Sequence, residues 1–221
     1  QDSSAAEIST SVMNLRDFLT DKSKETQQIS LQASSLSTST ESIFVQLSAF
    51  DSKTLITLMC DQAQIAADKV GKLFEQSITD KTITMQQLFD FKYHPIGNTL
   101  PAKFSTSFDE FTDRCLPKIQ ETLLQEFDDM IYAGAVDING YFPTHNKRFS
   151  QPLTGNPSLD VVNNRTKRMF NDSTGIRCAH HTDKFLLQTY KRDTAEIMHD
   201  VSAPIFIQGR HWGGFRIGFK A

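Results

Sequence analysis

Cysteine is scarce: Cys60, Cys115 and Cys178 are the only three in 221 residues. They are odd in number, far apart and form no Cys-x-x-Cys pair, which excludes a disulfide scaffold and a cysteine-based zinc site and suits a reducing compartment. Each is read as a free, mostly buried thiol. No apolar run approaches the roughly 20 residues that a membrane helix needs, and the first residues are polar, unlike a secretory leader. Basic excess is missing too: the net charge is −3 and the pI about 6.1. That leaves no electrostatic footprint for nucleic acid and no polybasic membrane patch. Catalytic signatures are also absent: there is no phosphate-binding glycine loop, no Gly-x-Gly-x-x-Gly, no Gly-x-Ser-x-Gly and no His-Glu-x-x-His. The acidic pairs Asp109-Glu110 and Asp128-Asp129 point to different sides of a helix and read as solvated charges. The chain is expected not to be an enzyme.

What is present begins with a rod. From Ile8, apolar residues recur every seven positions in two interleaved registers, Ile8, Leu15, Ile29, Leu36 and Ile43 on one and Val12, Leu19, Ala33 and Leu47 on the other. Without a proline or glycine to break it, this predicts a helix of about 40 residues, spanning about 60 Å, with a narrow coiled-coil seam. The other positions are rich in Ser, Thr, Gln and Lys. Only the seam wants a partner, and a second copy is the simplest one. The chain starts at Gln1 without Met and already in helical sequence, so it is expected to be a fragment whose preceding part holds an output module or membrane helices and reaches signalling partners.

A break at residues 50–53, with Asp51 or Ser52 as cap, separates this stalk (1–50) from the rest (51–221). A second helix over 53–78 has a broader apolar stripe, which predicts burial against more than one neighbour. A short helix over 82–91 capped by Thr84, a loop over 93–103 and a helix over 108–131 capped by Thr106 or Ser107 follow. Pro117 either kinks that last helix or restarts it. The period then changes to two. Strands are predicted at 131–137, 141–144, 185–191, 196–207 and 212–219, with Asn139-Gly140 turning the first pair and Gly209 taking the positive φ of a tight hairpin in the last. Ser158 to Phe170 reads as a helix with a basic C-terminal half, where Lys167 and Arg168 complement the dipole, and the stretch through Gly175 and His181 as a polar loop. The whole is an α+β architecture: long N-terminal helices, then a five-stranded antiparallel sheet with its core in 131–221.

Four stretches carry a resemblance. Residues 132–146 (YAGAVDINGYFPTHN), followed by a helix and then 200–219 (DVSAPIFIQGRHWGGFRIGF), resemble the Cache branch of PAS-like sensor domains. Residues 163–172 (NNRTKRMFND) and 185–194 (FLLQTYKRDT) are similar to the C-terminal sensory region of some bacterial methyl-accepting chemotaxis proteins. The resemblance covers about 83–221 and implies a PAS/Cache-like sensor that binds a small molecule and signals through a dimeric helical stalk. It implies a cytoplasmic location, or the soluble part of a membrane-anchored receptor. The methylation segments and signalling tip of such receptors are not in the chain.

In such a sheet the ligand lies between one face and the segments crossing it, here 145–182. Arg165 and Arg168, a turn apart, with Lys167, Lys191 and Arg192 nearby, could pin a carboxylate through guanidinium contacts; a solvated helix end is the plainer alternative. Tyr141 and Tyr190 could close the pocket, and His145 and Asn146 could donate to a ligand. Trp212 reads as core. No cofactor or metal is called for. Cys178 with His180-His181 would be the place for a metal or haem redox sensor, a competing reading. A dimerisation or interaction module that binds no small molecule is the other.

Overall fold

A computed structural model describes residues 2–48, 54–191 and 197–220. The chain divides into two compact units, Gln1–Gln46 and Leu47–Ala221. The first is built from one uninterrupted helix, α1, Asp2–Ser48. Its seam residues Ile8, Val12, Leu15, Leu19, Ile29 and Leu36 are all more than half exposed. The hydroxyls of Thr20, Thr26, Thr38 and Thr40 fold back onto carbonyls four residues earlier, so these side chains find their partners within the helix itself. No helix among the described residues is long and apolar enough to cross a membrane.

The second unit mixes helices with sheet. Helix α2, Leu55–Thr79, is capped by Thr54, whose hydroxyl accepts from Thr57 N at 3.1 Å; the expected caps Asp51 and Ser52 lie outside the described residues. Its buried stripe runs Met59, Cys60, Ala63, Ala66, Ala67, Val70, Gly71 and Phe74. So many small residues bring the helix axis close to what it covers. At Gly71 a Cβ would stand 2.6 Å from the carbonyl oxygen of Phe206. Helix α3, Met85–Leu88, opens with a reciprocal capping box between Thr84 and Gln87. Strands β1, His94–Pro95, and β2, Phe104–Ser105, pair with each other. Helix α4, Asp109–Glu126, continues through Pro117 and starts at Phe108 without a side-chain cap, instead of at Thr106 or Ser107.

The main sheet has four strands: β3, Met130–Asp137; β6, Leu186–Lys191; β7, Ile197–Ile207; and β8, Arg210–Lys220, in the antiparallel order β3-β8-β7-β6. Between β7 and β8, Gln208 (φ 49°) and Gly209 (φ 77°) both take left-handed angles, the geometry that matches strand twist in a two-residue hairpin. One face presents Val201, Ala203, Phe215, Ile217, Ala133 and Ala135, all buried, and α2 lies along β7 and β8. Trp212, fully buried between Phe74 and Phe108 with ring centroids 5.2 and 5.8 Å away, donates its indole N–H to the Leu88 carbonyl at 2.8 Å. It is core.

The expected fifth strand does not join this sheet. Tyr141–Phe142, β4, pairs instead with β5, Arg168–Met169, as a separate two-stranded sheet, and the described strands number eight in three sheets. The outer edge of β3 is closed by side chains: Ala133 N donates to Asn146 Oδ1 at 2.9 Å and Ala135 N to Gln120 Oε1 at 3.1 Å. With those amides satisfied, a returning strand has nothing to pair with.

The helix expected over 158–170 is shorter. Helix α5, Pro157–Asn163, is capped by Asn156 and has Pro157 in its first turn. It stops at Asn164, which pairs with Ser150 and donates its side-chain amide to the Gln151 carbonyl. Val161, Val162, Asn163 and Asn164 are weak helix formers, and asparagine competes for its own backbone. Lys167 and Arg168 therefore do not ride a helix C-terminus; they belong to a turn and to β5. Conversely, Ser173–His180 forms α6, capped by Asp172 accepting from Gly175 N at 3.2 Å, where a polar loop was expected. A glycine in the first turn hid that helix from its sequence.

Candidate functional site

A cleft of about 290 Å³ opens between the polar face of the sheet and the segments that cross it. Its floor follows from strand alternation. In register across the sheet lie Gln188, Asp200, Gly218 and Tyr132, and one step on Ser202, Arg216 and Gly134, so their side chains share a face. Gly218 is bare because the Tyr132 ring covers it; a Cβ there would collide with the ring. Arg216 reaches Asp200 Oδ2 with Nε at 3.0 Å and Nη2 at 2.9 Å, and the Tyr132 hydroxyl donates to the same oxygen. The hydroxyls of Tyr132 and Tyr190 stand 3.2 Å apart. Burial works against the Arg216 charge, but the Asp200 carboxylate outweighs it and holds the guanidinium protonated. Burial also pushes the Tyr132 phenol well above its ordinary range. Oδ1 of Asp200 and Oε1 of Gln188, on opposed residues of β6 and β7, are buried acceptors without a donor among the described residues.

One wall is aromatic. His145 stacks on Phe142, with centroids 4.1 Å apart and planes 16° apart, and stands edge-on to Tyr132 and Phe149. Its Nδ1 accepts from Asn146 N at 2.8 Å, which leaves the proton of a neutral ring on Nε2. The other wall is cationic. Arg165 and Arg168 each hold a guanidinium 5.0 Å from the centre of the Phe170 ring. Each also donates Nη1 to the same oxygen, the Val161 carbonyl, at 3.2 and 3.1 Å. Two like charges converge on one ring and one carbonyl, an arrangement suited to an anion that bridges them. Asp172 and Thr174 at the start of α6, and Lys191 at the end of β6, complete the rim.

Of the residues expected from sequence, His145, Arg165, Arg168 and Tyr190 come together here. Tyr141 is elsewhere: its hydroxyl lies within hydrogen-bond reach of two acceptors, Asp109 Oδ2 at 2.9 Å and the Phe104 carbonyl at 2.8 Å, between the rings of Tyr93 and Phe108. It fastens β4 to α4. Asn146 closes the edge of β3, and Arg192 lies outside the described residues. Sequence reading missed Tyr132, Arg216, Asp200 and Phe170. The available signal was a charged residue at an alternate position, Arg216 between Phe215 and Ile217, facing Ser202 in register.

The Cys178 and histidine cluster offers little to a metal. The Cys178 thiol is fully buried and pushed up to about 12 by burial. His181 spends Nε2 on Ser202 Oγ at 3.0 Å, and His180 is exposed. No group of three or more His, Cys, Asp or Glu side chains that could hold a metal ion occurs among the described residues. In comparisons with known proteins, no family model, no curated protein and no solved structure matches the chain.

Proposed function

We propose that the chain is the sensory region of a chemoreceptor-type signal transduction protein, in which a PAS/Cache-like domain binds a small anionic ligand and signals through a dimeric helical stalk. The observation that carries this reading is the convergence of Arg165 and Arg168 on the Phe170 ring and the Val161 carbonyl at the wall of the cleft. A carboxylate is the simplest group to bridge two guanidiniums, because its two oxygens match their planar forks. The domain is read as one that binds without catalysis, working in the cytoplasm or as the soluble part of a membrane-anchored receptor, with signalling partners reached through a preceding N-terminal region.

Binding signals only if the ligand prefers one arrangement of the helices over another. Two contacts favour α2 as the element that feels the sheet: Gln208 N donates to Glu75 Oε1 at 2.6 Å, and the Phe206 carbonyl rests on Gly71. Both lie on the β7–β8 hairpin that also carries Asp200 and Arg216.

Thermal-shift screening of the chain against organic acids, amino acids and purines identifies the ligand class. Calorimetry with the strongest carboxylate found is then repeated on Arg165→Ala and Arg168→Ala. Loss of a charge-assisted contact weakens affinity by roughly 10- to 100-fold in each variant. Unchanged affinity in both overturns the anion site.

A further inference from the structure

We infer that Lys167 is the positioning residue of this cleft: it holds a left-handed turn that sets Arg165 and Arg168 side by side. The inference rests on the anion-binding reading of the two arginines and adds what places them. Lys167 does not line the cleft, whereas the residues on either side of its turn do. In extended chain, residues three apart point to opposite faces, so Arg165 and Arg168 would diverge. Here Thr166 and Lys167 form a turn, and Lys167 has φ +62°. Arg165 and Arg168 become the first and fourth residues of that turn, which brings their backbones together.

The third position of such a turn favours glycine or asparagine, and a lysine there bears backbone strain. The surroundings show what offsets it. Lys167 Nζ stands 2.7 Å from Asp113 Oδ2 and 3.5 Å from Asp109 Oδ2, with only 16% of its side chain exposed. Its N–H donates to the Phe142 carbonyl and its carbonyl accepts from Phe104 N, both at 2.8 Å. One residue is thus pinned to β4, to β2 and to α4. The two carboxylates are themselves held: Asp113 accepts from Thr144 Oγ1 at 2.6 Å, and Asp109 accepts from Thr106 and Tyr141. A glycine would take this turn without strain; a lysine takes it because its ties to α4, β2 and β4 offset the strain.

The test reads the arginines directly and needs no ligand. In the full chain labelled with ¹⁵N-arginine, the Nε–H signals of Arg165 and Arg168 are assigned with R165K and R168K. Their ring-current displacement is defined as the part that F170L abolishes. In K167A the turn is strained and untied, and the displacement is lost from at least one arginine. In K167G the left-handed angle is free of strain, and the displacement returns. D113N moves the signals in the direction of K167A. Unchanged Trp212 emission confirms that each variant is folded. Wild-type displacement in K167A overturns the proposal, as does a K167G variant that remains like K167A. Whether an anion binds is decided separately, by the affinities of R165A and R168A.

Discussion

Arg216 and Asp200 form a diagonal pair on adjacent strands. Arg216 opposes Ser202 and Asp200 opposes Gly218, yet Nε and Nη2 of the arginine both meet Oδ2 of Asp200, at 3.0 and 2.9 Å. The bare Gly218 leaves room for the Tyr132 ring, whose hydroxyl donates to the same oxygen. Both residues are buried, at 5% and 0% exposure, so removing either leaves a charge without its counterion. Arg216→Met is expected to destabilise the fold by about 3–5 kcal/mol, and the double variant with Asp200→Asn to recover part of the loss. Urea denaturation of the two single variants and the double variant measures this; equal loss in Arg216→Met and the double variant would refute it.

The edge of β3 predicts a second effect. Asn146→Ala strips the acceptor from Ala133 N and leaves a buried amide bare, which costs about 1–3 kcal/mol. Amide hydrogen exchange at Ala133 should accelerate in this variant more than at Ala135, whose partner Gln120 is untouched.

Gly71 sets the spacing between α2 and the β7–β8 hairpin. In Gly71→Ala the new methyl meets backbone, the Phe206 carbonyl, which cannot swing aside as a side chain would. A loss of about 1–3 kcal/mol is expected, read as a lower thermal midpoint. Full wild-type stability would show that helix and hairpin can separate at no cost.

Asp137 makes stability depend on pH. Burial raises its carboxyl from 3.8 to about 6, outweighing the hydrogen bonds from Tyr93, Tyr141 and Asn139 that favour its charge. A group raised in the folded state contributes its stability fully below the unfolded value and loses it as pH rises through the folded one. Between pH 3.8 and about 6, this residue should therefore subtract stability on the order of 3 kcal/mol. Asp137→Asn keeps an oxygen for the Tyr141 and Asn139 amides and has no proton to lose. Denaturation at a series of pH values should give it a flatter profile over that interval; parallel profiles would remove Asp137 as the cause.

The exposed seam of α1 predicts self-association. Sedimentation of the chain should show a dimer that dissociates on dilution, and Leu15→Glu with Leu36→Glu should shift it to monomer, because two buried charges at seam positions oppose pairing. A monomer at all concentrations would exclude the stalk.

How much was legible in the sequence follows from which signals are local. The α1 heptads, the Thr84 cap and the Gln208-Gly209 hairpin rest on neighbouring residues and are readable. Tyr141 and Tyr132 show the opposite case. Both flank the same short turn region, yet one fastens β4 to α4 and the other floors the cleft, because strand register and the closed edge of β3 decide the difference. Arg165 and Arg168 were readable as a cationic pair, but the helix that was expected to align them ends at Asn163. Their proximity comes from a turn whose lysine is stabilised by Asp109 and Asp113, more than fifty residues earlier, and no local pattern carries that.

Trp212 is the only tryptophan in the chain, and it sits where α2, the end of α3, α4 and β8 meet, away from the cleft lining. That makes it a built-in optical reporter with a defined field of view. Its emission should be blue-shifted in the native protein and should stay silent to a molecule that merely occupies the cleft. A ligand that changes it has moved the junction of helices and sheet, so one fluorescence titration separates occupancy from transmission.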